Sequence, residues 1–179
     1  AVTARGTTVI ENAAMEPEVI DLVLFLQKMG ANIAVDIDRH IMIQGVDRLG
    51  GATHRVIEDR IEIASYAAAA VATGGDVEVL GAQQEHLLTF LNALRRVGGN
   101  FEVHDRGIRF WAEGPLTAHH LETDVHPGFM TDWQPPCVLL RTQAEHNARN
   151  SMLNTKSFLA VDFGAGTLKL AEFEVTEAG

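Results

Sequence analysis

Residues 75–114 read "GDVEVLGAQQEHLLTFLNALRRVGGNFEVHDRGIRFWAEG", and residues 6–45 read "GTTVIENAAMEPEVIDLVLFLQKMGANIAVDIDRHIMIQG". The two stretches follow one plan, about 68 residues apart and with single-residue gaps. Gly6 matches Gly75, Thr8 and Ile10 match Val77 and Val79, and "MGANI" at Met29–Ile33 matches "VGGNF" at Val97–Phe101. Each copy opens with a short alternating strand carrying those Thr, Ile and Val positions. A helix follows. In the first copy Val19, Leu22, Val23, Leu26 and Met29 fall on one helical face, with Pro17 suited to the first turn and Gly30 to the stop. In the second, Leu87, Leu91 and Leu94 form the stripe and Gly98-Gly99 ends it. A hairpin closes each copy. Ile33, Val35 and Ile37 turn through Asp38-Arg39 and return through Ile41 and Ile43. Phe101 and Val103 turn through Asp105-Arg106-Gly107 and return through Ile108 and Phe110.

Between the copies lies "THRVIEDRIEIASYAAAAVATGG", which predicts a strand from about Thr53 and an Ala-rich helix to about Thr73. The full unit is therefore β-α-β-α-β-β, complete from about 53 to 114. The first copy lacks its opening strand and helix. A third opens near Thr117 with Ala118, His120 and Glu122 and runs into "HPGFMTDWQPP" at 126–136, whose helix is expected to begin near Asp132. Three such units would close an array, whereas this chain holds one unit and two partial ones, so the expectation is an incomplete α/β slice.

The composition narrows the classes of function. The chain has 179 residues, 46% hydrophobic, with a formal net charge of -10. That suffices for one domain, or for a domain and part of another. The acidic balance argues against a protein that coats nucleic acid, which needs clustered Lys and Arg, but leaves room for a local basic pocket. The sequence reads without a signal peptide or an apolar run of spanning length, the stretch Ala67–Ala72 being too short. One cysteine, Cys137, makes no internal disulfide, so a cytoplasmic location is expected.

Three stretches then carry a resemblance: "GTTVIENAAMEPEVIDL" at 6–22, "IQGVDRLGGATHRVIEDRIE" at 43–62 and "HPGFMTDWQ" at 126–134. In collinear order over residues 4–146 they resemble the enolpyruvyl transferases, in particular the UDP-N-acetylglucosamine 1-carboxyvinyltransferase family. The resemblance implies the enolpyruvyl transferase fold, an inside-out α/β barrel of two lobes with three units each and the active site between them. Residues 1–58 would be the end of one lobe and 59–146 the start of the second, with the crossover near Glu58-Asp59-Arg60. It further implies transfer of enolpyruvate from phosphoenolpyruvate to UDP-N-acetylglucosamine in peptidoglycan precursor synthesis, hence cell-wall biogenesis, cell shape and cell cycle, without cofactor, metal or nucleic acid.

In the family's "TD.Q" motif the Asp contacts the sugar nucleotide beside the attacking hydroxyl, and the matching residue is Asp132, with Thr131 as its substrate-binding neighbour. The chemistry suits a carboxylate, because an alcohol adding to an enol phosphate must lose its proton as the bond forms. The alternative for Asp132 is a helix cap and nothing else. The chain departs from the family at Trp133-Gln134-Pro135-Pro136, where Met-Gln-Ala-Gln or Leu-Gln-Pro-Gln is common, and at Ile63-Ala64-Ser65, where a Thr-Gly pair is lost. The resemblance places the family's phosphoenolpyruvate-binding Lys, Asn and Arg and its reactive-Cys loop before residue 1, and its later Arg clusters after 146. The expectation is a fragment inactive alone. The competing classes are a non-catalytic remnant or binding module, with open sheet edges that favour self-association.

Other candidates have structural explanations. Cys137 follows Pro136 in an expected helix and reads as a small buried thiol. His119, His120, His126 and His146 match no zinc spacing, so no metal is expected. Glu16, Glu18 and Asp21 fit the start of a helix dipole, and Arg95-Arg96 its end. Residues 147–179 read as an unrelated tail: a strand at Phe158–Phe163, a turn at Gly164-Ala165-Gly166 and a strand at Leu168–Val175. It resembles the first phosphate-binding hairpin of the actin-like ATPases, particularly pilus-assembly members, through Asp162, Gly164, Gly166 and Lys169. A plain hairpin is the alternative, and one hairpin predicts no ATPase. Met152 suggests a start codon, and so a join of two reading frames or a chimera carrying a piece of such an ATPase.

Overall fold

The first copy of the repeat folds as strand β1 (Thr7–Ile10), helix α1 (Pro17–Lys28) and the hairpin β2 (Asn32–Val35) and β3 (Ile41–Gln44). The computed structural model describes residues 1–145 and the backbone of residues 157–164 and 167–174. Pro17 sits in the first turn of α1, where its missing N–H is no loss, and Gly30 just beyond the helix has φ +98°, a left-handed conformation that suits glycine. The sheet is antiparallel in the order β1-β3-β2. Val23 of α1 is buried with Ala13, Ala31, Ile33, Ile41 and Ile43, and Val19 and Leu26 pack beside them. Leu22 departs from expectation. It is exposed, because it stands at the edge of the apolar stripe and α1 has one face against this sheet.

The second copy repeats the arrangement as β4 (Asp76–Leu80), α3 (Leu88–Arg96), β5 (Gly99–His104) and β6 (Gly107–Ala112), preceded by α2 (Arg60–Ala72). Its sheet has the equivalent order, β4-β6-β5. The registers agree too. Thr8 and Ile33 both face Ile43 in the first sheet, and Val77 and Phe101 both face Phe110 in the second. The hairpins differ at the turn: the first spans Asp36–His40 with Arg39 at φ 61°, the second turns on Asp105-Arg106 alone. Gly107 is required there by close approach, since a Cβ would lie 2.1 Å from the Val79 carbonyl oxygen.

Helix α2 is apolar on more than one face, with Ile63, Ala64, Ala67, Ala68, Ala70 and Val71 all buried. Its small side chains let β4, β6 and helix α4 (Gln134–Thr142) pack closely around it. Asp59 caps it, the carboxylate accepting from the N–H groups of Ile61 at 2.7 Å and Glu62 at 3.3 Å. The α3 stripe is buried as expected at Leu87, Leu91 and Leu94, with Phe90 added. Burial of side chains of this size stabilises by about 1.5–3 kcal/mol each.

Two expected strands are not formed. Residues 53–59 make no ladder, and the strand expected from Thr117 shrinks to β7 (Leu116–Thr117), parallel to β8 (Ala144–Glu145). A strand exists only through its hydrogen-bonded neighbour, and no described strand pairs with residues 53–59 or with residues 118–122. The tail forms an antiparallel hairpin, β9 (Ser157–Gly164) with β10 (Thr167–Glu174). By its internal contacts the chain divides into units 1–58 and 59–179.

Candidate functional site

The segment around Asp132 is built on Trp133. A 3-10 turn at Thr131–Trp133 leads into α4, whose first turn accommodates Pro135 and Pro136. Trp133, Cys137 and Leu140 follow one another at helical spacing and all are buried. The indole of Trp133, 1% exposed, lies 5.6 Å from the Phe90 ring and 5.5 Å from the Phe129 ring, both tilted or edge-on, a favourable arrangement for aromatic quadrupoles. On a further side stands the guanidinium of Arg60, with Cζ 5.4 Å from the indole centroid. The indole Nε1–H finds no hydrogen-bond acceptor among the described residues.

The loop that delivers this turn folds tightly on itself. The Asp124 N–H donates to the Phe129 carbonyl at 2.9 Å, the Gly128 N–H to Val125 at 2.7 Å, and the Val125 N–H to the Asp124 carboxylate at 2.7 Å. Gly128 is demanded by this crowding, because a Cβ would lie 2.5 Å from that of Asp124. The His126–Pro127 peptide is cis. The Thr89 hydroxyl of α3 donates to the Gly128 carbonyl at 3.2 Å and ties the loop to the helix. Beside it opens a cleft of about 510 Å³, lined by Thr89, Asn92, Arg96, His119, Glu122 and Phe129 among others. Neither Thr131 nor Asp132 lines it.

Thr131 and Asp132 are both exposed, adjacent on the outer side of the turn that Trp133 anchors. The residues at the cap positions of the 3-10 turn and of α4 are Met130 and Trp133, neither of which caps by its side chain. Among the described residues no hydrogen bond joins the Asp132 carboxylate to either element. The alternative of a helix cap therefore has no support in the geometry. A solvent-accessible carboxylate can accept a proton from a bound hydroxyl.

Of the tail candidates, Asp162 and Lys169 are directly opposite in the β9–β10 register and Gly164 opposes Thr167, while Gly166 lies outside the described residues, as does His146. Among the described residues no group of His, Cys, Asp and Glu could hold a metal ion, and no helix is long and apolar enough to cross a membrane. Burial pushes the Cys137 thiol up to about 12, against a small opposing effect of Arg141, which makes it a poor nucleophile.

Sequence reasoning missed two features. Arg60 is a buried cation, 3% exposed, and its only local signal was its place beside the cap residue Asp59. Asp21, expected to serve the helix dipole, instead accepts from the Nε2 of His54 at 2.9 Å, while Lys28 approaches His54 Nδ1 at 3.0 Å and Phe25 covers the ring at 5.2 Å. Asp21 lies past the first turn of α1, where the dipole effect has faded, and its side chain is largely buried by that contact.

Comparison with known proteins adds the lineage. Residues 1–161 match the EPSP synthase (3-phosphoshikimate 1-carboxyvinyltransferase) family. A UDP-N-acetylglucosamine 1-carboxyvinyltransferase of Protochlamydia amoebophila (strain UWE25) is 58% identical over 144 residues, 80% of this chain and 31% of that protein. One of the same name from Chlamydia pneumoniae is 53% identical over 146 residues, 81% and 32% of the two. The chain thus spans about a third of the length of these curated relatives. The enolpyruvyl transferase NikO from Streptomyces tendae shares the fold, with a TM-score of 0.65 at 22% identity over 94% of this chain and 43% of that one.

Proposed function

Because the chain belongs to the EPSP synthase family of enolpyruvyl transferases, we propose that it is part of an enzyme moving enolpyruvate from phosphoenolpyruvate to UDP-N-acetylglucosamine. The observation that supports this acceptor is the 58% identity to a relative of that name, over a stretch that includes the anchored Asp132 turn. In this reading Thr131 and Asp132 bind the sugar nucleotide, and Asp132 takes the proton of the attacking hydroxyl as the new C–O bond forms at the phosphate-bearing carbon. The C=C electron pair takes up a proton from solvent at the methylene carbon. The elimination then removes a proton from that methyl carbon as the C–O bond to phosphate breaks. Rigid placement matters because a base must lie within hydrogen-bond reach of the proton it removes. Such a reaction supplies peptidoglycan precursors and draws on cytoplasmic substrates.

The test uses a full-length transferase in which residues 1–145 of this chain replace the matching third of the P. amoebophila relative. Asp132→Asn is expected to lower turnover on the order of 10²–10⁴-fold by phosphate release. Folding should be unchanged, since the side chain is exposed and caps nothing. Near-normal turnover of the variant would reduce Asp132 to a surface residue. For the tail, the resemblance suggests anion binding by Gly164, Gly166 and Lys169 without turnover, and ATP that leaves the amide signals of 157–174 unmoved would remove that suggestion.

A further inference from the structure

Arg60 sits where the helix dipole disfavours a positive charge. It is the first residue of α2, at the positive end of the helix dipole, and it is 3% exposed. Taking a guanidinium out of water costs free energy that an ion pair or hydrogen bonds at best offset. Stabilising α2 is therefore a poor reason for its presence, and the Asp59 cap already serves that end. Among its contacts is the face of the Trp133 indole, 5.4 Å from its centroid. With Phe90 and Phe129 on other sides and no hydrogen bond from Nε1 among the described residues, the indole is oriented by packing and by this cation. Asp132 precedes Trp133 in the same turn, so its backbone is placed by the packing that anchors Trp133.

We propose that Arg60 is a positioning residue for the Asp132 carboxylate, acting through the Trp133 indole. This rests on the reading of Asp132 as proton acceptor. Arg60 touches no reacting atom in this scheme. It keeps the 3-10 turn in one orientation, and a carboxylate displaced by about an ångström loses much of its value as a base.

A double-mutant cycle in the full-length grafted transferase decides it. Arg60→Met is expected to lower kcat about 10- to 100-fold while KM for phosphoenolpyruvate stays within about two-fold, and Arg60→Lys to recover part of the loss. In an Asp132→Asn background the same Arg60→Met change is expected to cost less than about two-fold, because there is no base left to position. A loss of equal size in both backgrounds would show a general structural role and overturn the proposal, as would wild-type turnover of Arg60→Met. Should Arg60→Met fail to fold, Trp133→Phe and Arg60→Lys complete the same cycle, and either one additive with Asp132→Asn is equally fatal. An Asp132→Asn enzyme with normal turnover would instead sink the assignment of the base, and the role of Arg60 with it.

Discussion

Cys137 shows how burial decides the behaviour of a single side chain. Packed between Trp133 and Leu140 on α4, its thiol is held neutral up to about 12, whereas an exposed cysteine ionises near 9. The native protein should resist alkylation by iodoacetamide at pH 8 and react stoichiometrically once unfolded in urea. The linkage follows in sign. Between pH 9 and 12 the unfolded chain has released a proton that the folded chain retains, so this contribution is complete below pH 9 and is lost as pH rises towards 12. Urea midpoints that do not fall over that window relative to Cys137→Ala would show the thiol to be accessible. Asp132, by contrast, was legible as a special residue from its motif, yet its surroundings were not. A local pattern indicates that a carboxylate precedes a helix, but whether it caps that helix depends on the turn geometry, and here Trp133 occupies the junction.

The elements follow the apolar periodicity of the sequence where that periodicity has a partner. Helix α2 begins at the cap residue Asp59, and Asp59→Ala should destabilise the second unit by about 1 kcal/mol, with Asp59→Asn sparing most of it, as measured by urea unfolding. Gly107→Ala should cost more than the about 1 kcal/mol typical of an unstrained glycine change, because the new methyl group meets backbone of β4 rather than a movable side chain. A Gly107→Ala protein with an unchanged midpoint would mean that β4 and β6 do not pair in this register. The strands expected at 53 and 117–122 mark the limit of such reasoning. Alternation gives a segment the capacity to pair, but the neighbouring strand that satisfies its N–H and C=O groups must come from elsewhere in the fold.

At the scale of the whole chain, 144 to 146 of the 179 residues match about a third of the length of the curated relatives, and the expectation is that the chain does not turn over alone. Enolpyruvyl transfer needs cations around phosphoenolpyruvate as phosphate leaves, and a net charge of -10 opposes holding that anion. Phosphate release above an Asp132→Ala control, from the purified chain given both substrates, would contradict this. The first unit also exposes Val9, Ile10, Leu22, Leu24, Val35, Ile37 and Met42, so light scattering should show association that grows with concentration. A monomer at all concentrations would show these side chains to be individually harmless. By itself the sequence determined the repeated strand-helix-hairpin plan, the positions of α1 and α3 and the family motifs, because the spacing of apolar residues along a helix or strand is a local property carried by each copy. Only the tertiary structure decided which strands find partners, that Asp21 serves His54 rather than the dipole of α1, and that Arg60 is buried against Trp133. Those contacts join residues far apart in the chain, and which of them form depends on the packing of whole elements, which no periodicity within one element encodes.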